Sequence, residues 1–215
     1  FDAQHKTGIL ASLAHGFWVK PGQILVEGIR HITPLDIQFA RRLGYCIKLL
    51  GIVKKLGNKV QIAVHPALVP ETHVLANVSD VFNAVLVRGD IVGDTLHYGQ
   101  GAGADATASA VLSDLADAAL DLKNGSIGRV PPFVPHEQNG MVQSMDKAVS
   151  PFYLRLSVVD RPGTLAKIAA ILGEAKIGIC SVTQPEGHVG ESVPLILMLH
   201  DAPDLAMRQA LKKIA

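Results

Sequence analysis

The stretch that follows Pro151 constrains the fold most strongly, because strand and helix patterns alternate there in an order that few folds share. Three apolar runs predict strands too short to cross a membrane, at residues 153–159, 177–184 and 193–200. A turn at residues 160–163 comes after the first run and precedes apolar side chains at helical spacing, Leu165, Ile168, Ala169 and Leu172. A second helical pattern begins near Asp204. The predicted order, β-α-β-β-α, is the ferredoxin-like βαββαβ arrangement lacking its last strand.

The first 98 residues combine helical patterns with two hairpin signals. Each signal consists of two apolar runs around a turn, at residues 46–54 and 59–68 around Gly57-Asn58, and at 81–87 and 91–98 around 88–90. One helical pattern occupies residues 2–16. A second follows Thr33, which would cap a helix that has Pro34 at its first position and Asp36 in its first turn. We therefore predict an α+β protein with a mixed or antiparallel sheet.

Turn-forming residues and changes in periodicity predict four segments along the chain. A helix-and-sheet unit covers residues 1–98, and a glycine-rich segment with a long helix covers 99–123. Residues 124–149 are rich in Pro and Gly with weak periodicity, which predicts a linker or loop. The β-α-β-β-α unit covers residues 150–215.

Composition excludes several classes of protein. Among 215 residues, 20 Lys and Arg oppose 19 Asp and Glu, so there is no electrostatic case for nucleic-acid binding. No apolar run approaches a membrane span, no secretory signal is visible, and Cys46 and Cys180 lie far apart, so a cytoplasmic location is expected. The nine histidines show no metal-ligand spacing, and no hydrolase nucleophile motif occurs. Because the chain begins at Phe1 and ends in an uncapped helical pattern, we expect a fragment.

Asp2 and Lys6 form the first candidate site. They lie four residues apart and hence on one face of a helix. This spacing is typical of an ordinary surface ion pair, which contributes little to stability. It is also compatible with a lysine that transfers a proton at a carbonyl or alcohol oxygen while the carboxylate orients an ammonium group or a water. Spacing alone favours the first interpretation.

Two loops that precede helices form the other candidates. Gly101 and Gly103 lack the spacing of a dinucleotide fingerprint, yet glycines before a helix let the backbone approach a cofactor closely. The turn Asp160-Arg161-Pro162-Gly163 opens a helix, and the free amides there can bind a small carboxylate. Taken alone, the glycine pattern favours a plain flexible loop, and the spacing at residues 160–163 indicates a strand-to-helix turn without deciding whether that turn binds a ligand.

Taken in order, several segments resemble the homoserine dehydrogenase family. Asp2-Ala3-Gln4-His5-Lys6 is similar to the family's D-x-x-x-K helix. The other matching segments are Glu27-Gly28-Ile29, Ile32-Thr33-Pro34-Leu35-Asp36, Ile47-Lys48-Leu49-Leu50-Gly51, His65-Pro66-Ala67-Leu68-Val69-Pro70 with Leu75-Ala76, Val81-Phe82-Asn83-Ala84-Val85, and Tyr98-Gly99-Gln100-Gly101-Ala102-Gly103 with Thr107-Ala108-Ser109-Ala110-Val111. Residues 150–215 resemble an ACT domain, an amino-acid-sensing module. The ordered series covers essentially the whole chain.

The resemblance implies reversible NAD(P)-dependent reduction of L-aspartate 4-semialdehyde to L-homoserine, a step in threonine, methionine and isoleucine biosynthesis. Lys6 would exchange the proton with the substrate oxygen, and Asp2 would hold the substrate's amino group or a water. Gly101 and Gly103 would contact the cofactor. The four-residue turn from Asp160 to Gly163 would belong to an effector site, with threonine expected. A homodimer or homotetramer is implied as well, and no metal.

The chain also departs from the family pattern. The dinucleotide-binding G-x-G-x-x-G, a second functional lysine and a substrate-binding glutamate are absent from these 215 residues, so most of a Rossmann domain is missing and the chain alone should be inactive. One alternative is another ACT-bearing dehydrogenase, such as a phosphoglycerate dehydrogenase, against which the His65-Pro66 segment argues. A second alternative is a non-catalytic amino-acid-binding regulator, in which the Asp2 and Lys6 helix would be idle.

Overall fold

The structure is a computed structural model that describes residues 1–126, 141–185, 188 and 190–215. The chain forms two compact units. The first unit contains Phe1–His31, Leu49–His65 and Pro135–Ala215, and the second contains Ile32–Lys48 and Pro66–Val134. Each unit is described by itself below.

The described residues form a mixed α+β protein. Its helices are α1 (Asp2–His15), α2 (Pro34–Arg42), α3 (Ala104–Asn124), α4 (Thr164–Glu174) and α5 (Asp204–Ile214). Its strands are β1 (Leu25–Val26), β2 (Tyr45–Leu56), β3 (Lys59–Pro70), β4 (Phe82–Gly89), β5 (Gly93–Gln100), β6 (Met141–Val142), β7 (Val149–Val159), β8 (Ile179–Thr183) and β9 (Ser192–Pro203). Short 3-10 turns occupy Pro21–Gln23, Val74–Asn77 and Met145–Lys147. Among the residues that the structure describes, no helix is long and apolar enough to cross a membrane.

One sheet is built around β3. Strands β1 and β2 flank it in the order β1-β3-β2, and β6 also pairs with β3. Both short strands run parallel to β3, with Leu25 opposite Ala63 and Lys59 opposite Met141. Four of the five β3 residues from Val60 to Val64 are almost fully buried, all except Gln61: Val60, Ile62, Ala63 and Val64. The hairpin predicted around Gly57-Asn58 is confirmed, because β2 and β3 are neighbours in the sheet and Gly57 between them has a positive φ of 61°.

The second sheet of the first unit has the order β7-β9-β8 and is antiparallel throughout. Helices α4 and α5 supply apolar residues to its core, which contains Ile168, Leu172, Ile177, Leu195, Leu197, Leu199, Ala202, Met207 and Ala210. Helix α5 is tied to the preceding segment, because the Asp204 N–H donates to the Ala148 carbonyl (2.9 Å) and Arg208 pairs with both Asp146 and Asp204. The element order β-α-β-β-α agrees with the order that the sequence predicts.

The second unit contains the β4–β5 hairpin, whose register runs from Phe82 opposite Gln100 to Gly89 opposite Gly93. The prediction that a strand begins at residue 91 was wrong by two residues. Ile91 and Val92 lie in the turn and are 91% and 75% exposed, so these apolar residues do not mark a half-buried strand. The strand instead begins at Gly93, whose φ of 72° closes the turn.

Helix α2 in the same unit begins as predicted. Thr33 caps it, Pro34 is its first residue, and the Asp36 carboxylate accepts hydrogen bonds from the Thr33 N–H (2.8 Å) and hydroxyl (2.7 Å). Residues 127–140, the greater part of the predicted linker, lie outside the described residues. The described remainder of that segment contains β6, a 3-10 turn and the first residue of β7.

Candidate functional site

Helix α1 carries the first candidate pair. It ends at His15, where Gly16 adopts a left-handed conformation (φ 71°, ψ 22°). Its buried face consists of small residues, Thr7, Gly8, Ala11 and Ser12, which let the helix pack closely. The Ser12 hydroxyl donates to the Gly8 carbonyl (2.7 Å) and accepts from the Val19 N–H (3.0 Å). Because this face is packed, Asp2 and Lys6, which lie outside it, point away from the core.

Asp2 and Lys6 meet on that outer face. The Lys6 Nζ lies 2.9 Å from the Asp2 Oδ2, and the two side chains are 67% and 80% exposed respectively. The hydrogen bond from Lys6 is the main cause that holds the pKa of the Asp2 carboxyl below its ordinary value. The pair therefore presents an ammonium group beside a carboxylate that stays ionised. Such a pair can donate a proton to an oxygen and bind a substrate ammonium at the same place.

The glycine segment lies at the junction of β5 and α3 in the second unit. The Gly101 N–H donates to the Val81 carbonyl (3.0 Å), and a Cβ at this position would lie 2.2 Å from the Asn83 Nδ2. Gly103 caps α3 with a φ of 113°, and its carbonyl accepts from both the N–H (3.1 Å) and the hydroxyl (2.9 Å) of Thr107. A Cβ on Gly103 would meet nothing within 4 Å. The close approach of the Asn83 side chain thus favours glycine at 101, whereas backbone conformation favours it at 103.

The third candidate, Asp160-Arg161-Pro162-Gly163, joins β7 to α4 in the first unit. The Asp160 backbone exchanges hydrogen bonds with the loop before β9, because its N–H donates to Glu191 (2.8 Å) and its carbonyl accepts from Gly190 (2.9 Å). The Asp160 carboxylate accepts from the Gln184 side chain (3.1 Å). Gly163 caps α4 with a φ of 91°. The turn is therefore an ordered helix start.

The structure brings Asp2 and Lys6 together on one helix and keeps Asp160, Arg161, Pro162 and Gly163 in one turn of the same unit. Gly101 and Gly103 belong to the second unit. Within the described ranges, no three His, Cys, Asp or Glu side chains are grouped as metal ligands. The catalytic and binding roles of these residues stay predictions.

Sequence reasoning missed one residue next to this site. Gly51 lies inside β2 and faces Thr7, the neighbour of Lys6. An isolated glycine within a strand pattern signals a close backbone approach, and that signal was present in the sequence. The sequence could not identify Thr7 as the approaching residue, because it lies on a helix more than 40 positions away from Gly51.

The sequence matches the family model described as homoserine dehydrogenase over residues 1–116. This match covers more than half of the 215 residues. The chain belongs to the homoserine dehydrogenase family. It is 39% identical to the homoserine dehydrogenase of Neisseria gonorrhoeae over 99% of this chain and 50% of the relative, and 40% identical to that of Pseudomonas aeruginosa over 93% and 47%.

Solved structures of the family give the same result. The structure resembles a homoserine dehydrogenase from Thiobacillus denitrificans with a TM-score of 0.88 and 39% identity, over 99% of this chain and 49% of that one. A homoserine dehydrogenase from S. aureus matches with a TM-score of 0.67 and 30% identity, over 97% and 50%. The family prediction made from the ordered motifs is confirmed. The chain spans about half the length of the curated relatives it matches.

Proposed function

We propose that the full-length protein is an NAD(P)-dependent homoserine dehydrogenase that interconverts L-aspartate 4-semialdehyde and L-homoserine. The observation that carries the proposal is the family match over residues 1–116, which includes the Asp2 and Lys6 helix and the glycine segment. In a non-catalytic regulator, neither of these two segments would have a role. The enzyme is cytoplasmic and forms a homodimer or homotetramer in this proposal.

Lys6 acts as the proton donor during reduction. Its ammonium group transfers a proton to the carbonyl oxygen as a hydride reaches the carbonyl carbon, and the resulting amine regains a proton from solvent. In the oxidative direction, the neutral amine accepts the proton of the homoserine hydroxyl. Asp2 holds the substrate's amino group or a water beside this lysine. The exposed position of both side chains supports this assignment, because a substrate can reach them.

The nicotinamide cofactor supplies the hydride when it is bound. The glycine segment fits such a group, because the open side of Gly103 has no protein atom within 4 Å of a Cβ position. Gly103 also lies at the amino end of the 21-residue helix α3, where free N–H groups favour a polar or anionic ligand. Gly101 keeps the loop against Asn83 of β4. In this proposal Gly101 and Gly103 contribute backbone contacts to the cofactor.

Substitution of Lys6 in the full-length protein tests the assignment. We expect Lys6→Ala to lower kcat by about 10³-fold, within the usual range for general acid–base catalysis, with little change in the KM for NAD(P)H. Lys20→Ala is the matched control, because Lys20 is an exposed lysine of the same unit. Steady-state kinetics with homoserine in one direction and the semialdehyde in the other measure both constants. A loss of less than tenfold would remove Lys6 from proton transfer.

Residues 150–215 form an ACT domain that binds an amino-acid effector, threonine, in the same proposal. The β-α-β-β-α order and the sheet order β7-β9-β8 support it. The turn formed by Asp160, Arg161, Pro162 and Gly163 supplies the free amides at the start of α4.

Calorimetric titration of the full-length protein with threonine, methionine and isoleucine tests this proposal. We expect threonine to bind and Asp160→Ala to weaken it, with Asp201→Ala as the control. Equal binding by wild type and Asp160→Ala would contradict the assignment.

A further inference from the structure

A glycine in the middle of β2 lies against the first turns of α1. An ideal Cβ built on Gly51 would lie 2.0 Å from the Thr7 Oγ1, 3.1 Å from the Thr7 Cβ and 3.2 Å from the Thr7 Cγ2. Contacts below 3.0 Å are essentially never made by real Cβ atoms. The space that a side chain at position 51 would occupy is therefore already filled by Thr7.

Thr7 is held in this place by the helix itself. Its side chain is only 7% exposed, and its hydroxyl donates to the Ala3 carbonyl at 2.7 Å. Rotation of the side chain about χ1 would break this hydrogen bond and leave the Thr7 Cβ, which does not move on rotation, at 3.1 Å. One residue further on, a Cβ on Gly8 would lie 3.1 Å from the Ile24 Cδ1, so the same face of α1 is tightly packed again. A side chain at position 51 therefore has to break the Thr7 hydrogen bond or displace the helix.

We propose that Gly51 is a positioning residue for the reaction. Its missing side chain sets how closely α1 approaches β2 and thereby where the helix holds Asp2 and Lys6. This inference rests on the proposed function of Lys6, which immediately precedes Thr7. The distance between a methyl group at position 51 and the Thr7 Oγ1 must increase by about 1 Å before the contact is allowed. A displacement of this size at a reacting group lowers the rate by about 100-fold.

The experiment is a double-mutant cycle in the full-length protein. We expect Gly51→Ala to lower kcat by about 100-fold with a smaller change in the KM for homoserine and for the cofactor. Thr7→Ala removes Oγ1 and Cγ2, so the double variant Gly51→Ala/Thr7→Ala should recover at least tenfold of the lost kcat. Gly22→Ala is the matched control, because a Cβ there meets nothing within 4 Å and Gly22 lies in the same unit. It should keep the wild-type kcat.

The outcomes separate this inference from the proposed function. An inactive wild type, or an active Lys6→Ala variant, would reject the proposed function. If those two proteins behave as expected, a Gly51→Ala variant with wild-type kcat would overturn the role of Gly51. A loss that Thr7→Ala fails to relieve would overturn it as well, because a general weakening of the strand would not depend on Thr7. If Gly51→Ala does not fold, a folded and active double variant supports the inference, and an unfolded double variant overturns it.

Discussion

Asp2 shows at the scale of a single residue how a solvent-exposed carboxylate is kept ionised by a neighbouring lysine. Its hydrogen bond from Lys6 lowers its pKa, so the carboxylate is charged throughout the neutral range and becomes protonated only at a lower pH than an ordinary aspartate. We expect Asp2→Asn in the full-length protein to lower kcat/KM for homoserine by about 10- to 100-fold, the scale of one lost hydrogen bond to a charged group. The KM for the cofactor should stay unchanged. Asp90→Asn, at an exposed turn, is the control.

His15 gives a second prediction for one residue. Partial burial lowers its pKa, and the nearby positive charge of Lys55 lowers it further. Because the folded pKa is depressed, the unfolded state binds more protons between the two pKa values, and stability rises with pH in that window. We expect Lys55→Gln to raise the pKa of His15 only part of the way to its ordinary value, since burial is the larger cause.

Proton NMR titration of the imidazole signals measures this change, and the signal missing from His15→Gln identifies the residue. Lys59→Gln serves as the control, because Lys59 makes no contribution to the shift of His15. A complete return of the His15 pKa to its ordinary value would show that charge rather than burial causes the shift.

At the scale of an element, the start of α2 depends on a reciprocal cap. Asp36 is 2% exposed, and its carboxylate accepts from both the N–H and the hydroxyl of Thr33. The return bond, from the Asp36 N–H to the Thr33 hydroxyl, is longer at 3.4 Å. We expect Asp36→Ala to lower the free energy of unfolding by about 2 kcal/mol, because two half-buried donors of Thr33 lose their acceptor.

Thr33→Ala should cost less, about 1 kcal/mol, because it removes only the two bonds of the hydroxyl, while the Asp36 carboxylate still accepts from the backbone N–H of residue 33. Chemical denaturation of the full-length protein compares the two variants, with Asp90→Ala as the exposed control. A larger loss for Thr33→Ala than for Asp36→Ala would show that the hydroxyl, not the carboxylate, stabilises the start of this helix.

Elements whose signals are local could be predicted from the sequence, and this cap is the clearest case. Thr33, Pro34 and Asp36 are neighbours along the chain, and each favours the same helix start. The beginning of β5 could not be predicted in the same way, because Ile91 resembles a strand residue and only the pairing of Gly89 with Gly93 places the turn. The same limit applies to the site. The Asp2 and Lys6 pair follows from helical spacing, whereas the contact of Gly51 with Thr7 needs two elements packed together.

At the scale of the whole molecule, the chain spans about half the length of its relatives, and we propose that helix α3 packs against the other half. None of the described residues of α3 is buried. Its most exposed apolar side chains are Val111, Leu112, Leu115, Leu120 and Leu122, between 52% and 85% exposed. A helix of 21 residues with this many uncovered apolar side chains is typical of an element that packs against another domain. The occupant implied by the family resemblance is the amino-terminal nucleotide-binding half.

This assignment predicts that one substitution has different consequences in two proteins. We expect Leu115→Glu to lower the free energy of unfolding of the full-length protein by at least about 2 kcal/mol, because a charge would replace a buried apolar side chain. In the 215-residue chain alone, where Leu115 is 60% exposed, the same change should stay within about 0.5 kcal/mol. The chain alone should also show no homoserine-dependent formation of NAD(P)H. Equal effects of Leu115→Glu in both proteins, or turnover by the chain alone, would mean that α3 completes no nucleotide-binding domain.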